Sequence, residues 1–251
     1  MRRNELSERW REGKPATNCW LSFGHPFIAE ILAHQGWHSL TIDMQHGQAD
    51  YADMCAMLTA ISTSATVPLV RIPWNDPGDA MRALDAGAYG VICPNVDTRE
   101  QCERFVGACR YAPLGYRSVG PRRAMLYGGS DYLQFANETV LAIVQVESAK
   151  ALANVREIAD VKGLDMLFIG PSDLGLSLGR EPRIDQTDPV VVEAIDTILK
   201  SAKEAGLRAG IYCRSADYAA AMFQKGFDLV TVTSDEGMIG AGAAIANRFV
   251  R

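Results

Sequence analysis

Nothing in this sequence approaches the roughly 20 consecutive apolar residues that a membrane-spanning helix needs. Its opening, Met1-Arg-Arg-Asn-Glu-Leu-Ser-Glu-Arg-Trp-Arg, is charged where an export signal would be apolar. Both absences predict a cytoplasmic protein with no membrane partner. Six cysteines (Cys19, Cys55, Cys93, Cys102, Cys109 and Cys213) show no CxxC or other metal-ligating spacing. Most lie in apolar stretches, where cysteine acts as a small hydrophobe, and disulfides are not expected in such a chain. There is no basic stripe, and a net charge of −5 gives no ground for a nucleic-acid partner. Repeats, low-complexity tracts and linkers are also missing, so the 251 residues read as a single domain.

What the chain does have is alternation. At 48% hydrophobic and 22% charged, its composition is that of an ordinary globular protein. After a short amphipathic helix over 5–13, stopped by Gly13 and Pro15, apolar β-rich runs recur at 18–23, 39–43, 68–72, 90–94, 140–147, 166–170, 208–212 and 229–233. Helical periodicity fills most gaps, at 27–34, 51–62, 79–86, 99–110, 150–160, 190–205, 216–225 and 238–249. Strands alternating with helices imply right-handed crossovers and a parallel sheet. Eight such pairs in about 250 residues is the count of a (β/α)8 TIM barrel. The rival, a doubly wound open sheet, lacks its GxGxxG loop after the first predicted strand. One Gly-, Arg- and Tyr-rich segment, 111–137, breaks the rhythm and reads as an inserted functional loop.

In such a barrel the active site lies at the C-terminal ends of the strands. The fifth predicted strand ends in Gln145-Val-Glu147, and the sixth runs into Ile169-Gly-Pro-Ser-Asp173. Strand alternation puts Gln145 and Glu147 on one face. Two carboxylates brought together there repel each other unless a cation lies between them, and a hard divalent ion such as Mg2+ or Mn2+ meets that demand. The plainer alternative makes Glu147 a helix cap and Asp173 a turn residue. The second strand ends in Asp43-Met-Gln-His46, a spacing at which the carboxylate can hold an imidazole N–H and leave the other ring nitrogen as a general base. Arg71, inside the β-branched, proline-flanked third run, suits an anion or a developing enolate oxygen, with a structural salt bridge as the alternative. His25, His34 and His38 have no such partner and read as surface residues. None of the six lysines (Lys14, Lys150, Lys162, Lys200, Lys203 and Lys225) ends a predicted strand, which disfavours Schiff-base chemistry.

These residues resemble a known family. Asp43-x-x-His46-Gly47, Val70-Arg71-Ile-Pro, Leu84-Asp85-Ala-Gly87-Ala88-x-Gly90-Val91, Gly115-x-Arg117, Gln145-x-Glu147 and Gly170-Pro-Ser-Asp173-Leu174 are similar, in order and spacing, to the HpcH/HpaI metal-dependent pyruvate aldolases. The resemblance implies a barrel of the phosphoenolpyruvate/pyruvate superfamily whose last helix packs on a neighbouring subunit, within a homo-hexamer built as a dimer of trimers. It implies reversible cleavage of 4-hydroxy-2-oxo acids to pyruvate, or hydroxypyruvate, and an aldehyde. The cofactor would be a divalent ion (Mg2+, Mn2+, Co2+ or similar) held by Glu147 and Asp173. His46 would be the base and Arg71 the residue stabilising the transition state. Asp85 would strengthen the histidine, although by position alone it reads as an exposed helix-end residue. Gln145, Gly170, Pro171, Ser172 and Asp173 would contact the substrate. Gln45, Ser118 and Pro121-Arg-Arg123 depart from the family pattern and leave the aldehyde open. Competing readings are a CoA-ester lyase of the citramalyl or malyl type, a Schiff-base aldolase and a non-catalytic 2-oxo-acid-binding barrel.

Overall fold

In a computed structural model, which describes residues 1–250, eight parallel strands close on themselves in sequence order. They are β1 (Ala16–Leu21), β2 (Ser39–Asp43), β3 (Val67–Arg71), β4 (Gly90–Cys93), β5 (Leu141–Val146), β6 (Met166–Ile169), β7 (Arg208–Tyr212) and β8 (Leu229–Ser234), and β8 pairs back onto β1. The helices of the first half are α1 (Glu5–Arg11), α2 (Pro26–Ala33), α3 (Tyr51–Ile61), α4 (Pro77–Asp85), α5 (Arg99–Cys109), α6 (Arg122–Gly128) and α7 (Tyr132–Thr139). Those of the second half are α8 (Ala149–Ala153), α9 (Val155–Ala159), α10 (Pro171–Ser177), α11 (Pro189–Glu204), α12 (Ala216–Lys225) and α13 (Asp235–Ala246).

The strands are continuous apolar runs because both their faces are covered, by helices outside and by side chains within. Caps fix where the helices begin. Asp50 and Asp53 form a reciprocal capping box at α3, Thr98 and Gln101 another at α5, and Asp76 and Asp188 cap α4 and α11 ahead of a proline.

Inside the barrel the layers differ in character. Asn18 is fully buried, its Oδ1 accepting from the hydroxyls of Ser39 (2.9 Å) and Thr41 (3.1 Å) while its Nδ2 donates to Thr231 (3.0 Å). Two residues along β1, on the same face, Trp20 stacks on Phe168 (centroids 5.7 Å) and meets Tyr212 edge-on (5.2 Å). Gly210 makes room for this aromatic layer, since a Cβ there would lie 2.6 Å from the Phe168 ring. The floor of the barrel mouth is therefore aromatic, above a satisfied polar plug.

Three parts differ from the sequence expectation, the first being α10, which forms at Pro171–Ser177 where no helical stretch is expected. The 111–137 segment contains α6 and α7, the latter burying Tyr132 and Ala136, rather than loop alone. The 150–160 stretch is two short helices, α8 and α9, broken at Asn154. In α13 the buried position is Asp235, while Ile239 and Ile245 are more than half exposed.

Candidate active site

A cavity of about 310 Å3 opens at the C-terminal ends of the strands. Asp43, His46, Arg71, Gln145, Ser172 and Asp173 line its polar side, with Gly170 and Pro171 beside them. No lysine is among the lining residues.

Asp43 and Arg71 are the last residues of β2 and β3 and stand side by side in register. The guanidinium forks onto the carboxylate, Nε to Oδ1 at 2.9 Å and Nη2 to Oδ2 at 2.6 Å, with both side chains at most 10% exposed. Its carbon also lies 5.0 Å from the centroid of the Trp20 ring. Burial by itself would raise the Asp43 carboxyl, but the Arg71 fork and the Gln45 N–H hold it below the usual carboxylate range. The expectation that Asp43 holds the His46 imidazole is corrected. Its Oδ1 accepts from the backbone N–H groups of Gln45 (3.0 Å) and His46 (3.3 Å), and Arg71 takes the rest. The His46 ring is left exposed at the rim of the cavity. Arg71 is therefore in a buried salt bridge and also lines the cavity.

Glu147 follows β5 and is 5% exposed. It does not cap α8; Ser148 does, accepting from the Ala151 N–H at 2.9 Å. Glu147 Oε1 accepts from the Asn95 N–H at 2.8 Å, and Oε2 accepts from the Gln145 amide on the same strand face. Burial pushes the Glu147 carboxyl up, the Asn95 N–H opposes this, and the negative charge of Asp173 adds to the rise. Asp173 lies in the first turn of α10, where the helix dipole favours its charge.

Two observations bear on a cation here. Gln145 Oε1 is buried without a hydrogen-bond partner. Beside it, Gly170 leaves a cradle, as a Cβ there would lie 2.6 Å from Gln145 Nε2 and 2.8 Å from Glu147 Oε2. Two hard carboxylate donors, an orphaned amide oxygen and an open concavity fit a divalent ion that completes its shell with water and substrate oxygens. Among the described residues there is no cluster of three or more His, Cys, Asp or Glu side chains of metal-holding geometry.

Asp85 is not brought to the cavity. It ends α4 with its Oδ1 2.7 Å from Arg117 Nη2, so within one chain it serves a different partner from the one the family resemblance implies. Arg117 is buried, its guanidinium carbon 4.5 Å from the Tyr111 ring centroid and Nη1 3.1 Å from the Tyr132 hydroxyl. Of the other histidines, His25 caps α2, and His38 takes up the N–H and hydroxyl of Thr17.

The sequence reading missed Trp20, Ser22, Phe168, Ile184, Tyr212 and Glu236, which also line the cavity. Tyr212 was open to detection as the last residue of the seventh run. Ile184 carries no periodic signal at all.

The geometry can be set beside known proteins. The family model described as HpcH/HpaI aldolase/citrate lyase matches residues 16–240. A hydroxypyruvate/pyruvate aldolase of Rhizorhabdus wittichii is 43% identical over 240 residues, covering 96% of each chain. A 4-hydroxy-2-oxo-heptane-1,7-dioate aldolase of Salmonella paratyphi A is 32% identical over 251 residues, covering 98% of this chain and 95% of its own. The crystal structure of an HpcH/HpaI aldolase/citrate lyase family protein from Burkholderia cenocepacia superposes with a TM-score of 0.91 at 36% identity, over 99% of both chains. With the closed barrel, the strand-end carboxylates and these matches along nearly its whole length, the chain belongs to the HpcH/HpaI aldolase/citrate lyase family.

Proposed function

We propose that this protein is a divalent-metal-dependent aldolase that reversibly cleaves 4-hydroxy-2-oxo acids to pyruvate, or hydroxypyruvate, and an aldehyde. The observation that carries the reading is one cavity lined by Arg71, His46 and Asp173, with Glu147 buried against the lining residue Gln145 and no lysine to form a Schiff base.

Glu147 and Asp173 would hold the ion, which when bound would draw electrons from the carboxylate and keto groups of the 2-oxo acid. Gln145 and Ser172 position the acid, and Gly170 lets the Gln145 and Glu147 side chains pack against its backbone. Arg71, fixed by Asp43 and Trp20, presents positive charge where the keto oxygen becomes an oxyanion. His46 takes the proton from the 4-hydroxyl as the C3–C4 bond breaks to release the aldehyde. The three-carbon enolate then gains a proton at C3 and leaves as the 2-oxo acid. In reverse, the enolate carbon attacks the aldehyde and His46 returns the proton to the new alkoxide.

The assembly proposal is a homo-hexamer of single-domain subunits, with α13 laid on a neighbour. Ile239 and Ile245 of α13 are more than half exposed, and packing on a neighbour would remove that apolar surface from water. Arg251 lies outside the described residues.

The test is an aldol assay of metal-stripped protein with divalent ions restored one at a time, over a panel of 2-oxo acids and aldehydes. Activity that returns with the ion supports the reading. Activity that survives chelation and is trapped by borohydride with pyruvate overturns it.

A further inference from the structure

Residues 179–188, between α10 and α11, form no regular element, yet they are fastened along their length. Gln186 is 2% exposed, and its Nε2 faces the carbonyls of Arg183 at 2.7 Å, Pro171 at 3.2 Å and Glu181 at 3.3 Å. Gly175 permits this close packing, since a Cβ there would lie 2.8 Å from that nitrogen. Next to it, Asp185 accepts from the Arg214 N–H at 2.8 Å and the Ser215 hydroxyl at 2.6 Å, which ties the loop to the segment after β7. Asp188 then caps α11. The buried amide nitrogen, shared among three backbone carbonyls, orders the loop, while the Gln186 Oε1 is buried without a partner.

Between these anchors Ile184 is half-buried and lines the cavity together with Phe168 and Tyr212. Charge in the same lining is one-sided. Its one side chain of fixed positive charge is Arg71, already forked onto Asp43; Asp173 is taken up by the proposed ion, and Glu236 adds negative charge. The 2-oxo acid end belongs deep in the mouth, at Arg71 and Gln145, so the aldehyde end faces the outer wall.

Resting on the 2-oxo acid reading above, we propose that residues 179–188 form the acceptor wall of this site. Ile184 packs against the substituent of the aldehyde, and Gln186 and Asp185 are positioning residues that hold it there. The class selected is short uncharged aldehydes, in preference to aldehydes bearing a second carboxylate. Such a carboxylate would lose its water without gaining a free cation.

Exchange of the C3 protons of pyruvate with D2O, followed by NMR on the metal-loaded protein, involves no aldehyde. Absence of exchange overturns the 2-oxo acid reading and this proposal with it. Where exchange occurs, aldol kcat/KM with pyruvate is compared for propanal, hexanal and succinic semialdehyde. The expected preference for propanal over the semialdehyde is on the order of 10- to 100-fold. Ile184→Ala raises the hexanal-to-propanal ratio by about fivefold or more, the size of effect that a few methylenes exert in a pocket. Gln186→Met, which keeps volume but cannot donate, raises the aldehyde KM by about tenfold while lowering the pyruvate exchange rate by less. Equal use of the semialdehyde overturns the charge argument. An unchanged chain-length ratio in Ile184→Ala, or exchange falling in step with aldol rate in Gln186→Met, overturns the wall.

Discussion

Asp43→Asn isolates what the structure says about the centre of the site. The variant keeps the size of the side chain and one oxygen to accept an N–H, but it removes the countercharge of a guanidinium that is 10% exposed. Breaking a buried pair by deleting one partner costs about 3–5 kcal/mol, because the remaining charge stays out of water. Arg71 borders an open cavity, so the lower end applies, about 3 kcal/mol. For a chain of this size that corresponds to a fall in Tm of about 6–12 °C. The pH dependence has a definite sign. The folded-state pKa of Asp43 is depressed, so its contribution is present above the unfolded carboxylate pKa and is lost as pH falls through the folded value. Asp43→Asn should therefore flatten the acid limb of the stability profile as well as lower the plateau.

The same substitution separates two roles for Asp43 in turnover. If it acts by holding Arg71, then Asp43→Asn and Arg71→Met lower kcat by overlapping amounts, each up to about 10²–10³-fold, and the double variant is little worse than Arg71→Met. If it acts by orienting His46, the losses multiply and the histidine limb of the pH–rate profile moves. Thermal unfolding and kcat on the four proteins of the cycle decide between them. An Asp43→Asn protein that melts with the wild type and multiplies the Arg71 defect would refute the reasoning from the fork.

Glu147→Gln and Asp173→Asn should each abolish the stabilisation that a saturating divalent ion gives the wild type, about 2.7 kcal/mol at a hundredfold excess over Kd, as read by differential scanning fluorimetry. Gly170→Ala should remove most aldol activity while the far-UV spectrum stays native, because its Cβ would lie 2.6 Å from one buried strand side chain and 2.8 Å from another. Burial pushes the thiols of Cys19, Cys102 and Cys109 up to about 12, and those of Cys93 and Cys213 are also raised. Iodoacetamide on native protein at pH 8 should therefore add to half-buried Cys55 alone, and mass spectrometry would show more than one adduct if the packing described is wrong. Arg117→Met should leave the Asp85 carboxylate without its partner and lower Tm by a few degrees, with the cavity residues unmoved in a crystal structure.

How far the sequence could be read depended on the range of each interaction. The barrel was legible because its signal is local. Each apolar run announces a strand buried on both faces, and each intervening stretch carries helical periodicity, so β2 and β7 fall where the pattern puts them and β1 only two residues earlier. The placement of Glu147 and Arg71 at strand ends was legible for a related reason, since both are charged residues at the ends of runs where a core strand has no use for charge. The helix α10 was hidden because Gly170-Pro-Ser-Asp173 reads as a turn and Gly175 sits inside the helix, while packing of Leu174 overrides both signals. Ile184 and Gln186 could not be read at all, because their meaning comes from a loop whose path is set by contacts with Pro171, Arg214 and Ser215.

The error at Asp43 shows the limit most plainly. It lies three positions before His46, and that proximity suggests a pair. Arg71 is 28 residues away in the chain but adjacent in parallel register, and the fixed fork of a guanidinium takes both carboxylate oxygens. Register is a tertiary fact, so sequence distance ranked the two partners in the wrong order. The same logic applies to Asp85. Within one chain its carboxylate lies against Arg117, away from the cavity and therefore from the histidine that lines it. If Asp85 serves a histidine as the family resemblance implies, that histidine must belong to another copy of the chain. The proposed hexamer would then be part of the active site, and dissociating it should cost activity even while each barrel stays folded.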